Sequence, residues 1–275
     1  MLIREKFETH SFSNTERLII DFILEKRFEI KEMTTKDIAN ATFSSPSTLI
    51  RIAHKMEFSG WNELKEAYLK EEEYLASHFN EIDANMPFTA QDSLVSISNK
   101  IARLKEESIE DTLSLIDYEN LQKAIDLIEK SSGIQIFAIS NNINLAKEFQ
   151  HNMSRLQKRV DLMSSQGEYT YAAMNMDPTM CAILISYSGE TTILANVSKI
   201  LNARKIPYIA ITNIGDNTIS NNSDVTLRIT TREKMYSKIA NYSTSTSISY
   251  LLDVLYSCIF AQDYEKNLKL KMRNS

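Results

Sequence analysis

Ser186, Ser188 and Thr191 place three aliphatic hydroxyls around Gly189, directly after the apolar run Cys181-Ala182-Ile183-Leu184-Ile185. An apolar run of that length reads as a buried strand, and a small polar stretch with one glycine reads as the turn that ends it. From Thr192 to Ala203 the spacing becomes helical, with Ile193, Leu194, Val197, Ile200 and Leu201 on one face. Such a turn opening into a helix can hold an anion. The free first-turn amides and the helix dipole favour a phosphate, and the hydroxyls add donors. Gly189 allows close backbone approach or an unusual dihedral. Glu190 is expected to point outward, since inward it would repel the anion.

Three more polar loops follow apolar runs. Ser140-Asn141-Asn142 comes after Ile134–Ile139, Thr212-Asn213 after Ile206–Ile211, and Glu233 shortly after Val225–Ile229. In parallel sheets, ligands gather at the carboxyl ends of strands. Ser140 and Asn142 are therefore candidate donors, Thr212 a contact to a sugar hydroxyl, and Glu233 a hydroxyl partner or a base. Gly167-Glu168 is a weaker rim candidate. An aldose–ketose isomerase needs a base beside the reacting carbon and a partner for the second proton. Glu233 is the one candidate base, and none of the four histidines falls in these loops. The chain has no zinc-ligand spacing, Walker loop or dinucleotide glycine fingerprint. Cys181 and Cys258 sit in apolar surroundings as buried thiols. Binding without turnover, with no cofactor or metal, is the simpler account.

The elements that must position these loops are strands at Ile134–Ile139, Val160–Met163, Met180–Ile185, Ile206–Ile211 and Val225–Ile229. Helices lie between them at Asn144–Leu156 and Thr192–Ala203, and further helices over Met235–Phe260 close the domain. This succession predicts an α/β domain with a mostly parallel five-stranded sheet between helical layers. Leu94–Lys130 reads as two helices with a break near Asp117.

The first 76 residues read as helical pieces. Ser13 or Asn14 can cap a first helix with Leu18, Ile19, Phe22 and Ile23 inward. Thr34 and Asp37 frame the start of another, with Ile38 and Ala39 inward. Ser44 can cap a third, with Pro46 in its first turn and Leu49, Ile50, Ile52, Ala53 and Met56 inward. Helix, tight turn and helix is the pattern of a helix-turn-helix DNA reader. Arg51 has the planar fork for a guanine edge. Ser45, Ser47 and Thr48 suit phosphate or base-edge contacts, and Lys55 and His54 suit phosphates. The boundaries expected are 1–77 for this all-α domain, 78–106 for a linker and connecting helix, and 107–275 for the α/β domain.

At 275 residues the chain has room for two unequal domains, and a net charge of −5 rules out a basic coat without excluding a local DNA-binding surface. The N-terminus lacks a long apolar core, and no span is long enough to cross a membrane. The expected location is the cytoplasm.

Taken together, the segments TTKDIANATFSSPSTLIRIAHKMEFSGWNELKEAY (34–68) and ILISYSGETTI (183–193) resemble the RpiR family of bacterial transcription regulators. The family joins a helix-turn-helix domain to a sugar isomerase (SIS) domain that senses phosphosugars. The resemblance implies a recognition helix over Ser45–Lys55 carrying Arg51. It implies a phosphate turn at Ser186, Ser188 and Thr191, a ligand threonine at Thr212 and a ligand-facing glutamate at Glu233. It also implies homodimers or homotetramers on palindromic operator DNA, with a phosphorylated sugar as effector. Two departures stand out. Where such domains show glycine-x-glycine-x-serine, this chain has Ala138-Ile139-Ser140-Asn141-Asn142, which predicts a reshaped pocket. Glu57 replaces the glycine common before the aromatic of the first domain, which predicts a perturbed turn.

Overall fold

The computed structural model describes residues 2–78, 82–163, 165–230 and 232–273. The chain forms two compact units, 1–81 and 82–275. The linker positions 79–81 lie outside the described residues.

In the first unit, helices α1 (Ile3–Thr9), α2 (Asn14–Lys26), α3 (Thr35–Ala41), α4 (Pro46–Lys55) and α5 (Trp61–His78) follow one another. Ser13 caps α2 in a reciprocal box with Glu16, and Thr34 does the same for α3 with Asp37. Ser45 rather than Ser44 takes the N-cap position of α4, because the Ser44 hydroxyl is held by Thr42 at 2.9 Å. Pro46 follows as the first helical residue, where its missing N–H costs nothing. Ile19, Ile20, Ile23, Ile38, Leu49, Ile52, Leu64 and Tyr68 pack into one core. Each such burial is worth roughly 1.5–3 kcal/mol. Leu18 and Ile50, expected inside, are instead exposed. One residue is about 100° around a helix, and Ile19 and Leu49 take the inward positions beside them.

The helix α4 ends in a turn of the Schellman type. Phe58 N–H bonds to Ala53 carbonyl at 3.0 Å, and Glu57 carries the left-handed backbone (φ 67°) that this turn usually gives to glycine. The turn expected to be perturbed by the missing glycine therefore keeps its shape.

In the second unit, α6 (Leu94–Ser114) and α7 (Tyr118–Lys130) meet at Asp117, whose carboxylate caps α7 through Glu119 and Asn120 amides. Then follow β1 (Ile134–Ala138), α8 (Asn142–Ser154), β2 (Val160–Leu162), α9 (Tyr169–Asn175), β3 (Cys181–Ile185), α10 (Thr192–Ala203), β4 (Tyr208–Thr212), α11 (Thr218–Asn221), β5 (Val225–Arg228), α12 (Tyr242–Gln262) and α13 (Tyr264–Arg273). The sheet runs β2-β1-β3-β4-β5, parallel at every pairing.

Alternate residues of each strand enter opposite cores. Ile134, Ile136, Ile183, Ile185, Ile209 and Ile211 face α7, α8 and α12, whereas Phe137, Ala182, Leu184, Tyr208 and Ala210 face α9, α10 and α11. Helices cover both faces, which is why these strands read as continuous apolar runs. The short helix α9 was not anticipated, since seven residues give little periodicity. The closing helix begins at Tyr242 and not near Met235, because the Glu233 carboxylate binds the Ser243 amide and fixes the start there.

Candidate functional site

Strand order reverses between β1 and β3, and at such a switch point the loops leave in opposite directions and open a crevice. Ala138 pairs with Ile185, so the loops 139–141 and 186–191 emerge side by side from the carboxyl edge of the sheet. The hydroxyl loop seen in the sequence stands at this crevice.

Within that loop the hydroxyls organise the backbone. Ser186 Oγ lies 3.0 Å from Thr191 Oγ1 and accepts the Gly189 N–H at 3.2 Å, while Ser188 Oγ accepts the Glu190 N–H at 3.2 Å. Ser186 and Ser188 are buried and Thr191 is half-buried. Thr191 stands at the N-cap of α10, yet its side chain does not cap the helix. First-turn amides are thereby left without a side-chain partner from the cap, as an anion site requires.

Gly189 has φ 65°, and a Cβ there would lie 1.8 Å from Asn217 Oδ1. The close approach that glycine permits is thus to Asn217 of the β4–α11 connection. Asn217 was not singled out from the sequence, although Asn217 with a hydroxyl three residues on, at Ser220, is an N-cap signal that could have found it. Its Oδ1 accepts from Ser220 N–H at 2.9 Å, and its Nδ2 donates to Thr212 Oγ1 at 3.2 Å and to Gly215 carbonyl at 2.8 Å. Thr212, fully buried, donates in turn to Tyr187 carbonyl at 3.2 Å. One amide side chain therefore locks the two loops together.

The two carboxylates have helix partners. Glu190, half-buried, accepts from the Thr218 amide and hydroxyl at 2.9 and 2.7 Å, turned onto α11 and away from the crevice. Glu233 is buried and engaged by its own chain. At 1% exposure it accepts from Ser243 N–H at 2.5 Å and Thr244 Oγ1 at 2.6 Å, with Lys238 Nζ at 3.4 Å. It serves as a remote cap for α12, where a carboxylate complements the helix dipole. Its backbone carbonyl accepts from the Tyr187 hydroxyl, which ties residues 232–239 to the hydroxyl loop.

On the β1 side, Ser140 carries a left-handed backbone (φ 54°), and Asn142 is the first residue of α8. Asn141 donates to Ser245 Oγ of α12 at 3.1 Å and lines a cavity of about 730 Å³ with Leu145, Tyr242, Ser245, Ser249 and Asp253. Residues 186–191 do not line that cavity. Gly167 and Glu168 lie in the short turn before α9.

In the first unit, Ser45, Ser47, Arg51, His54 and Lys55 present accessible surface on α4 or its cap. Thr48 does not share that face. It is buried, with its hydroxyl 3.1 Å from Ser45 Oγ. Arg51 and Lys55 both pair with Glu16 of α2, a residue the sequence reading did not single out.

The fold and these two sites define a DNA-reading helical unit followed by a ligand-binding type of parallel α/β sandwich. Residues 2–75 match the model of the helix-turn-helix domain of the rpiR family, and residues 127–257 match that of the SIS domain. The chain thus carries the helix-turn-helix domain of the rpiR family followed by a SIS domain. Its fold is similar to that of Vibrio vulnificus NanR, a structure complexed with ManNAc-6P, at 19% identity and TM-score 0.63, covering 99% of this chain and 95% of that one. The sugar isomerase domain of an RpiR transcription factor from Sphaerobacter thermophilus is similar at 17% identity and TM-score 0.57, over 64% of this chain and 97% of that one. A protein from E. coli CFT073 is similar at 12% identity and TM-score 0.58, over 68% of this chain and all (100%) of that one. Among the described residues no helix is long and apolar enough to cross a membrane.

Proposed function

We propose that this chain is a transcription regulator of carbohydrate metabolism whose binding to double-stranded operator DNA is modulated by a phosphorylated sugar. The observation that carries the reading is the Ser186–Thr191 turn at the β1/β3 switch point, opening into the uncapped helix α10, in a chain that also bears a helix-turn-helix. Ser186, Ser188, Gly189 and Thr191 would hold the phosphate, with Ser140, Asn142 and Thr212 around the sugar. Ser45, Ser47, Arg51 and Lys55 would meet DNA. The protein acts in the cytoplasm as a homodimer or homotetramer, matching a palindromic site with its own symmetry. That NanR was solved with ManNAc-6P supports an amino-sugar phosphate among the candidates.

Linkage between the sites has a route. Tyr187 is tied to residues 232–239 through the Glu233 carbonyl, and this segment holds the start of the second unit. Arg232 donates to Ile82 carbonyl at 3.2 Å, Lys234 N–H to Asn85 Oδ1 at 2.7 Å, and Ile239 N–H to Asn85 carbonyl at 2.9 Å. A ligand that prefers one arrangement of the loop shifts the population of the segment from which the reader extends.

Binding without turnover is supported by the engagement of Glu233: an isomerase would need that carboxylate as a base, and three protein donors hold it. The test is to titrate the protein, bound to DNA from upstream of its own gene, with phosphorylated sugars including ManNAc-6P. One sugar phosphate should change DNA affinity, its unphosphorylated form should not, and no isomerised product should accumulate. If no phosphorylated sugar alters DNA affinity, or if product appears with turnover, the reading is wrong.

A further inference from the structure

Glu16 lies in the first turn of α2, outside the reading helix, and is 1% exposed. Its carboxylate accepts from Ser13 N–H at 2.8 Å, from Arg51 Nε at 2.8 Å and from Lys55 Nζ at 2.7 Å. Burial alone would raise its pKa, but the bonds from Lys55, Ser13 and Arg51 bring it down to about 2. The group is therefore charged throughout the physiological range.

Arg51 and Lys55 are one turn apart on α4, and their side chains keep 58% and 41% of their surface exposed. The bond to Arg51 uses Nε and leaves the two Nη groups at the exposed end of the fork. Those groups are the pair that spans O6 and N7 of a guanine. Held this way, the fork loses less rotamer freedom on binding than a free arginine would. Lys55, with its charge offset by a carboxylate, is a weaker phosphate ligand than a free lysine.

From this geometry we infer that Glu16 is a positioning residue that sets the sequence specificity of the reading helix. It aims Arg51 at a guanine edge and restrains Lys55 from indiscriminate phosphate contact. The inference rests on the DNA-binding reading above. It adds that specificity is governed by a residue that touches no base.

Glu16→Gln suits the test because a capping box accepts glutamine as well as glutamate, so Ser13 and the start of α2 are kept. Wild-type protein first enriches duplexes from a random-sequence pool, and affinities are then measured for the enriched duplex and for a scrambled one. Glu16→Gln should weaken binding to the enriched duplex roughly tenfold, the scale of one bidentate contact. Binding to the scrambled duplex should be unchanged or tighter, with a salt slope steeper by about one as Lys55 is freed. Replacing the contacted guanine with 7-deazaguanine should weaken the wild type but not the variant. Adding Arg51→Ala to Glu16→Gln should cost little more than Arg51→Ala alone.

If Glu16→Gln lowers thermal stability, Glu16→Asp gives the same readout. It keeps the charge and a box of the kind Thr34 and Asp37 already form here, but falls short of Arg51. A proportional loss on both duplexes, or undiminished sensitivity to 7-deazaguanine in both variants, would show that Glu16 only stabilises the bundle. If the wild type enriches no duplex, the DNA reading fails and this inference goes with it.

Discussion

The reading helix and the hydroxyl loop solve opposite electrostatic problems. At α4, charge is projected outward on long side chains, and one buried carboxylate holds two cations. At residues 186–191 no side chain carries charge toward the crevice. Hydroxyls and amides bond to one another, and Glu190 and Glu233 are drawn away to other helices. A duplex is a large, fixed array of phosphates, to be met by cations on long side chains that reach out from the surface. A single small anion is better met by a rigid cradle whose donors are in place before it arrives. On the proposed reading, rigid backbone in one unit and restrained side chains in the other answer to the size of the partner.

The cradle is the more brittle of the two. Gly189→Ala would force a Cβ into the left-handed region and onto Asn217, which is then lost as cap of α11 and as partner of Thr212. The expected loss is about 3–4 kcal/mol in denaturant unfolding, with sugar-phosphate affinity lost as well. A loss under about 1 kcal/mol, the scale of the cap alone, would mean that the loop is more pliable than this contrast requires.

The scaffold of the reader should respond to pH. Glu71 of α5 is buried and accepts from Ile3 and Arg4 amides at 2.6 and 3.1 Å, and burial raises its pKa to about 7. A carboxylate raised in the folded state binds more protons there than in the unfolded chain. The contribution of Glu71 to stability is then full below about 4.5 and declines as pH rises through about 7, by at most about 3 kcal/mol. Glu71→Gln should flatten this decline in thermal melts. A wild type as flat as the variant would place Glu71 outside this account.

Arg51→Ala sets the scale for the charged region. Loss of one bidentate contact should weaken specific DNA binding by roughly 2 kcal/mol, about thirtyfold, and leave sugar-phosphate affinity untouched. Equal loss on specific and scrambled duplexes would reduce Arg51 to a phosphate contact and weaken the contrast.

The sheet and its hydroxyl loop were legible in the sequence because strands covered on both faces are continuous apolar runs, and those runs end in unmistakable turns. Ser13, Thr34 and Asp117 announced helix starts for a similar reason: capping is local chemistry. What escaped depends on distance along the chain. Glu16 reads as a capping residue, and only the fold brings it to Arg51, 35 positions away. Glu233 reads as a free carboxylate beside a predicted strand, and only the observed start of α12 shows it as a cap. Thr48 looked outward because its neighbours Ser47 and Arg51 do.

The smallest expected effect joins both regions. Glu57 and Ser140 each stand where the family resemblance leads one to expect glycine, and each keeps the left-handed backbone, with φ 67° and 54°. Helix-capping bonds hold Glu57 in place, since Phe58 N–H reaches Ala53 carbonyl and Met56 N–H reaches Ile52 carbonyl. Ser140 is held between β1 and α8, with Ile143 N–H on its own carbonyl at 3.2 Å. A side chain in this region costs on the order of 1 kcal/mol, which the surrounding bonds must offset. Glu57→Gly and Ser140→Gly should therefore each stabilise the protein by up to about 1 kcal/mol, less the extra entropy glycine gives the unfolded chain. The gains should add, because the sites share no partner. Only Ser140→Gly should also alter sugar-phosphate affinity, since that side chain alone stands at the crevice. An equal change of ligand affinity in both variants would show that the two regions communicate through backbone strain and not through the 232–239 segment.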